Sequence, residues 1–104
     1  MIHLYLHACV LPGRRADLER FLVEARPVYE EPDGVSVRLQ WSLDDPDAFV
    51  EIMDYPDDAS YRRDQLRVES DPRMRALLAR WHDLLASGPV VTVFEDVPID
   101  PSAR

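Results

Sequence analysis

Residues 2–10 alternate without a break, with Ile2, Leu4, Leu6, Ala8 and Val10 on one side and His3, Tyr5, His7 and Cys9 on the other. A period of two is the pattern of a β-strand with one face in a core. It ends at Pro12-Gly13, and the period then changes. Leu18, Phe21, Leu22 and Ala25 stand at i, i+3, i+4 and i+7, the buried stripe of a helix. Pro27 is expected to end or bend that helix, because proline has no N–H to donate. After a turn at Glu31-Pro32-Asp33-Gly34, the period returns to two. Val35, Val37, Leu39 and Trp41 alternate with Ser36, Arg38, Gln40 and Ser42. Asp44-Asp45-Pro46-Asp47 reads as a hairpin connection. The third strand, over about residues 48–54, is expected to turn Val50 and Ile52 to the core and Phe49, Glu51 and Met53 away from it.

Pro56-Asp57-Asp58 opens a second helix, since acids suit its positive end and proline is tolerated in its first turn. The helix is expected to run to about Val68. Asp71-Pro72 starts a third with an acidic N-cap, and Met74, Leu78, Trp81 and Leu85 form its apolar stripe. Ser87-Gly88-Pro89 is read as its stop, Val90 to Val97 as a fourth strand, and residues 98–104 as a tail. The order β-α-β-β-α(α)-β predicts an α+β, ferredoxin-like domain over residues 1–97. In it a four-stranded antiparallel sheet carries its helices on one face. The other face would hold His3, Tyr5, His7, Arg38, Gln40, Phe49, Glu51, Met53 and Tyr55. That is too aromatic a surface for solvent, so it is expected to meet a second sheet.

The charge of −8 disfavours nucleic acid and anionic membrane surfaces as partners. No lysine occurs, so there can be no Schiff base and no P-loop cradle. Cys9 is the sole cysteine, which rules out an intrachain disulfide and a thiolate cluster. The opening residues have neither a basic leader nor a long apolar run, and a cytoplasmic protein is the expectation.

Pro12-Gly13-Arg14, the stretch Asp44-Asp45-Pro46-Asp47-Ala48-Phe49, the segment from Asp54 to Tyr61 and the break Glu69-Ser70-Asp71-Pro72 resemble the dimeric α+β barrel superfamily. The similarity is to domains of the antibiotic-biosynthesis-monooxygenase type, in layout over about residues 2–97. The resemblance implies a homodimer whose sheets face each other and enclose a pocket in each subunit. Among its members are cofactor-free oxygenases, isomerases and haem-degrading enzymes. The haem-degrading group resembles an asparagine, tryptophan and histidine constellation. This chain has no asparagine, and Tyr61 falls near the tryptophan position, so that constellation cannot be completed here.

The candidate site is drawn from the open face. His7 is the expected general base, because imidazole titrates near neutrality. Arg38 is the expected oxyanion stabiliser, and Tyr5, Gln40, Glu51 and Tyr55 are expected to position a ligand. Arg38 and Glu51 would stand nearly opposite across the hairpin, where an ordinary cross-strand ion pair is the competing explanation. No metal is expected: four residues of strand put His3 and His7 about 13 Å apart, too far to share an ion. Trp81 is assigned to the core, His82 to its boundary, and Cys9 to an unreactive thiol. The expected function is a cofactor-free monooxygenase or isomerase acting on a small aromatic or acidic metabolite in a homodimeric barrel. Three alternatives stay open: a non-catalytic ligand-binding or stress-related barrel, a structural dimer packed shut, and a regulatory amino-acid-sensing domain of similar topology.

Overall fold

The computed structural model describes residues 1–99. The elements are β1 (Ile2–Val10), α1 (Arg15–Tyr29), β2 (Ser36–Trp41), β3 (Ala48–Tyr55), α2 (Asp58–Ser70), α3 (Pro72–His82) and β4 (Leu85–Glu95). The strands form one antiparallel sheet in the order β2-β3-β1-β4, with the helices on one face. This is the expected α+β, ferredoxin-like arrangement. Residues 100–104, most of the expected tail, lie outside the described residues.

The helix ends follow from local chemistry. Asp57 caps α2 by accepting from the Ser60 N–H at 2.7 Å, and Asp71 caps α3 by accepting from the Arg73 N–H at 2.8 Å. Pro27 does not end α1, which continues to Tyr29. It sits in the last turn of the helix. The third helix stops at His82, before Ser87-Gly88-Pro89 is reached, and those three residues belong to β4.

Gly88 has a structural task inside that strand. The β1–β4 register shifts between His7 and Cys9, and Gly88 sits at the irregularity with φ +90°. A Cβ there would fall 2.8 Å from the His7 carbonyl oxygen and 3.0 Å from Ala8 Cα. Gly88→Ala should therefore cost about 1–3 kcal/mol, read as a lower midpoint in urea. An unchanged midpoint would mean that this strand crossing is looser than described.

The core lies between sheet and helices. Leu18, Phe21 and Ala25 of α1 and Met74 and Trp81 of α3 pack against Leu4, Val10, Phe49 and Met53. Here the third strand departs from the sequence reading. Phe49, Glu51, Met53 and Tyr55 face the helices, whereas Val50, Ile52 and Asp54 face away, in register with His7, Tyr5 and His3. Both alternating sets of β3 are partly apolar, so periodicity alone does not choose between them. The register chooses. Arg38 pairs with Ile52, and Glu51 pairs with Leu39, one residue away from the expected partner. A slip of one residue moves every side chain to the other face. The hairpin turn sets this register: the Ser42 hydroxyl accepts from the Asp44 and Asp45 N–H groups at 3.1 Å, and Ser42 N–H donates to the Ala48 carbonyl at 2.9 Å.

Candidate functional site

The six expected site residues divide between the two faces of the sheet. Glu51 and Tyr55 are on the helix side; Tyr5, His7, Arg38 and Gln40 are on the open side. They do not form one constellation.

On the open side, two cross-strand rows run His7–Val50–Gln40 and Tyr5–Ile52–Arg38. His7 is exposed, with Nε2 3.4 Å from the Thr92 hydroxyl. With Gln40, Cys9 and Ser87 it lines a shallow, open groove of about 600 Å³. Arg38 is engaged elsewhere, in a fork to Asp54 at 2.7 and 3.1 Å. His3 shares that carboxylate: Nδ1 lies 2.5 Å from Asp54 and Nε2 2.8 Å from Asp96. Only the imidazolium can donate through both nitrogens. The bond to Asp54 accordingly raises the His3 pKa above its ordinary value. Burial pushes the Asp54 carboxyl up, but Arg38 and His3 together outweigh it and hold the group below the usual carboxylate range.

A group whose pKa rises on folding stabilises fully below its unfolded value and loses that contribution as pH climbs through the folded value. His3→Gln should therefore lower the melting temperature at pH 6 and remove part of the decline of wild type above about pH 6.5. Parallel pH–melting curves for the two proteins would contradict this linkage.

On the helix side the structure holds a cavity of about 190 Å³. Glu51, Tyr29, Tyr55, Tyr61, Asp64 and Trp81 dominate its polar and aromatic lining. Glu51 enters from the middle of β3, flanked by Leu6 and Leu39 on the adjacent strands. It is only 3% exposed. Burial disfavours its charged form and pushes its pKa up to about 7. Among the described residues, Glu51 Oε1 and Trp81 Nε1 are buried and have no hydrogen-bond partner. The indole N–H lies close enough to oppose that rise but lacks hydrogen-bond geometry. Tyr29 is also buried, and desolvation together with Glu51 raises its pKa.

One side of the cavity is a fixed polar chain. The Tyr55 hydroxyl donates to Asp64 at 2.6 Å, and Arg67 Nε donates to Asp64 at 3.1 Å. Arg67 also donates to the carbonyls of Val28 at 2.8 Å and Tyr29 at 3.3 Å, tying α2 to the end of α1. Tyr61 meets Tyr55 edge to face, with ring centroids 5.5 Å apart. No group of three or more His, Cys, Asp or Glu residues is placed to hold a metal ion among the described residues. No helix among them is long and apolar enough to cross a membrane.

Sequence reasoning placed Glu51 and Tyr55 at a pocket but on the wrong face, and it assigned Trp81 to packing alone. The available signal for Glu51 was a lone acid within the apolar run Phe49 to Met53; its leucine neighbours on the adjacent strands appear only in the assembled sheet. Tyr29 and Asp64 carried no signal, because their helices place them and the strand pattern says nothing of helix docking.

No family model matches the chain, and no curated protein matches it. Solved structures do. A variant of SnoaB, a cofactor-independent oxygenase from Streptomyces nogalater, superposes with a TM-score of 0.75 at 15% identity over 96% of both chains. A candidate antibiotic biosynthesis monooxygenase from Bordetella bronchiseptica gives 0.66 at 24% identity, over 93% of this chain and 97% of that one. Rv0793 from Mycobacterium tuberculosis gives 0.69 at 22% identity over 97% of each. The chain has the fold of antibiotic-biosynthesis-monooxygenase-type, ferredoxin-like α+β domains.

Proposed function

We propose that this chain, which shares its fold with a cofactor-independent oxygenase, is a small-molecule enzyme working without a cofactor, as a monooxygenase or an isomerase. The reaction would take place in the cavity between sheet and helices. Glu51 carries the reading. An unpaired carboxyl in an apolar setting costs stability, and such groups concentrate where proton transfer needs them. A carboxyl titrating at about 7 is a base in one half of a cycle and an acid in the other.

A bound substrate gives a proton to Glu51 and becomes a carbanion or enolate. Return of the proton to a different carbon completes an isomerisation. Addition of O₂ at the carbanion, with the proton returned to the peroxide, gives a hydroperoxide. Loss of water from it leaves a carbonyl, so one oxygen atom enters the product and the other leaves as water. The tyrosines and Trp81 offer flat walls for a ring. His7 and Arg38, across the sheet, take no part in this step.

The reading includes a homodimer in the cytoplasm. Support comes from β4, an edge strand whose Val90, Val91, Val93 and Phe94 are exposed on both faces, with Val97 and Ile99 beyond it. An unpaired apolar edge invites a second chain. Val91 also lines the cavity, so pairing there would close the site. Phe94→Asp should shift the sedimenting species from dimer to monomer.

The decisive assay follows oxygen uptake and product formation over a panel of phenols and cyclic ketones. Glu51→Gln should lower turnover of any substrate found by about 100-fold or more. Undiminished turnover would overturn the assignment of Glu51. Binding without turnover would favour a non-catalytic ligand-binding barrel.

A further inference from the structure

We infer that the cavity selects a neutral, single-ring hydroxy-carbonyl compound, whose carbonyl accepts from Trp81 Nε1–H and whose hydroxyl donates to Glu51. The inference rests on the cavity being the ligand site, as proposed above, and specifies what that site recognises.

Three observations converge on it. The first is the orphan pair. A buried polar atom without a partner is uncommon and costs about 1–3 kcal/mol. This cavity has two of opposite character, the acceptor Glu51 Oε1 and the donor Trp81 Nε1. A ligand presenting one acceptor and one donor satisfies both, whereas a purely apolar ligand would leave both unsatisfied and sealed from water. The other tryptophan is already satisfied, because Trp41 Nε1 donates to Glu19 at 2.9 Å.

The second is charge. Among the described residues, the carboxyl side chains at the cavity are Glu51 and Asp64, and no cationic side chain lines it. The neighbouring guanidinium of Arg67 is engaged by Asp64 and the Val28 and Tyr29 carbonyls. A carboxylate ligand would meet two acids and no counter-ion, a costly arrangement in an apolar site. The acidic metabolites included in the sequence expectation are therefore disfavoured here.

The third is size. A cavity of about 190 Å³ is smaller than the roughly 300–1,000 Å³ that drug-sized ligands occupy. Its size suits one ring with a short substituent, which the Tyr55–Tyr61 pair and Trp81 can flank.

The test uses the whole purified protein and three probes of similar size: hydroxyacetophenone (the 3- and 4-isomers), benzoate and ethylbenzene. Affinity is measured by calorimetry at pH 8, while the two indole N–H resonances are followed by NMR. The expected result is that a hydroxyacetophenone binds at least about tenfold tighter than either other probe, the effect of one or two buried hydrogen bonds. It should move the Trp81 indole resonance downfield and leave that of Trp41 in place. Trp81→Phe, which keeps the aromatic wall and loses the donor, should reduce the advantage over ethylbenzene to what the hydroxyl–Glu51 bond alone supplies. The wild-type comparison stands even if that variant fails to fold. Equal binding of ethylbenzene, or tighter binding of benzoate, would overturn the inference while leaving the cavity as a ligand site. Failure of all three probes to bind would remove the cavity reading itself, and this inference with it.

Discussion

At pH 8, Glu51→Gln should be more stable than wild type by about 3 kcal/mol, and near pH 4 the two should coincide. The unfolded chain releases the Glu51 proton near 4.5, and the folded protein releases it near 7. Between these values the folded state holds the extra proton, so stability falls as pH rises, by about 1.4 kcal/mol per unit. Below the interval both states are protonated and no penalty exists. Above it both are ionised, and the penalty stays at its full value. Glutamine keeps the shape and does not titrate, so the difference between the proteins traces this curve. In a domain of this size, about 3 kcal/mol corresponds to roughly 10–20 °C in melting temperature. Urea titrations from pH 4 to 9 measure it directly, and a difference independent of pH would show that Glu51 is not held in an apolar site. The same substitution should lower turnover by about 100-fold or more. Gain of stability with loss of activity is the signature of a group retained for chemistry against its structural cost.

Arg67→Ala should lose about 3–5 kcal/mol, the cost of leaving a buried charge without its partner. Asp64 is 3% exposed, and Arg67 is the guanidinium that it binds, at 3.1 Å. The substitution also strips two donors from the Val28 and Tyr29 carbonyls, where α1 ends. Adding Asp64→Asn removes the stranded charge, so the double variant should recover part of the loss. Additive costs in that cycle would mean the two side chains act independently. Since Asp64 also accepts from the Tyr55 hydroxyl at 2.6 Å, Arg67→Ala should loosen the cavity wall and weaken ligand binding together with stability.

How far the sequence could be read depended on how redundant each signal was. In β1 one alternating set is wholly apolar and the other holds two histidines, a tyrosine and a cysteine, so its core face was unambiguous. Arg38 and Gln40 were placed on the open face for the same reason, opposite Val37, Leu39 and Trp41. In β3 each set mixes apolar with acidic residues. Val50 and Ile52 look like core, yet Ile52 is 2% exposed on the open face, in register between Tyr5 and Arg38. Phe49 turns the other way because Trp41 and Trp81 receive it there, at ring distances of 5.7 and 6.3 Å. Gly88-Pro89 misled in a similar way. A glycine and proline pair reads locally as a helix stop, but the chain uses it within an edge strand.

The order of the elements, the acidic N-cap of α3, the ferredoxin-like layout and the inward side of the first two strands can all be read from the residues alone. They follow from interactions within a few residues or from a one-sided pattern, and each is written directly in the local residue types. The hairpin register, the face of β3 and therefore the site required the assembled fold. Those depend on which distant side chains fill the space opposite: Trp81 and Leu39 around Glu51, Asp64 against Tyr55, His3 and Arg38 on Asp54. A carboxyl group has one chemistry in water and another between two leucines. Only the packing of the helices onto the sheet settles which environment Glu51 has.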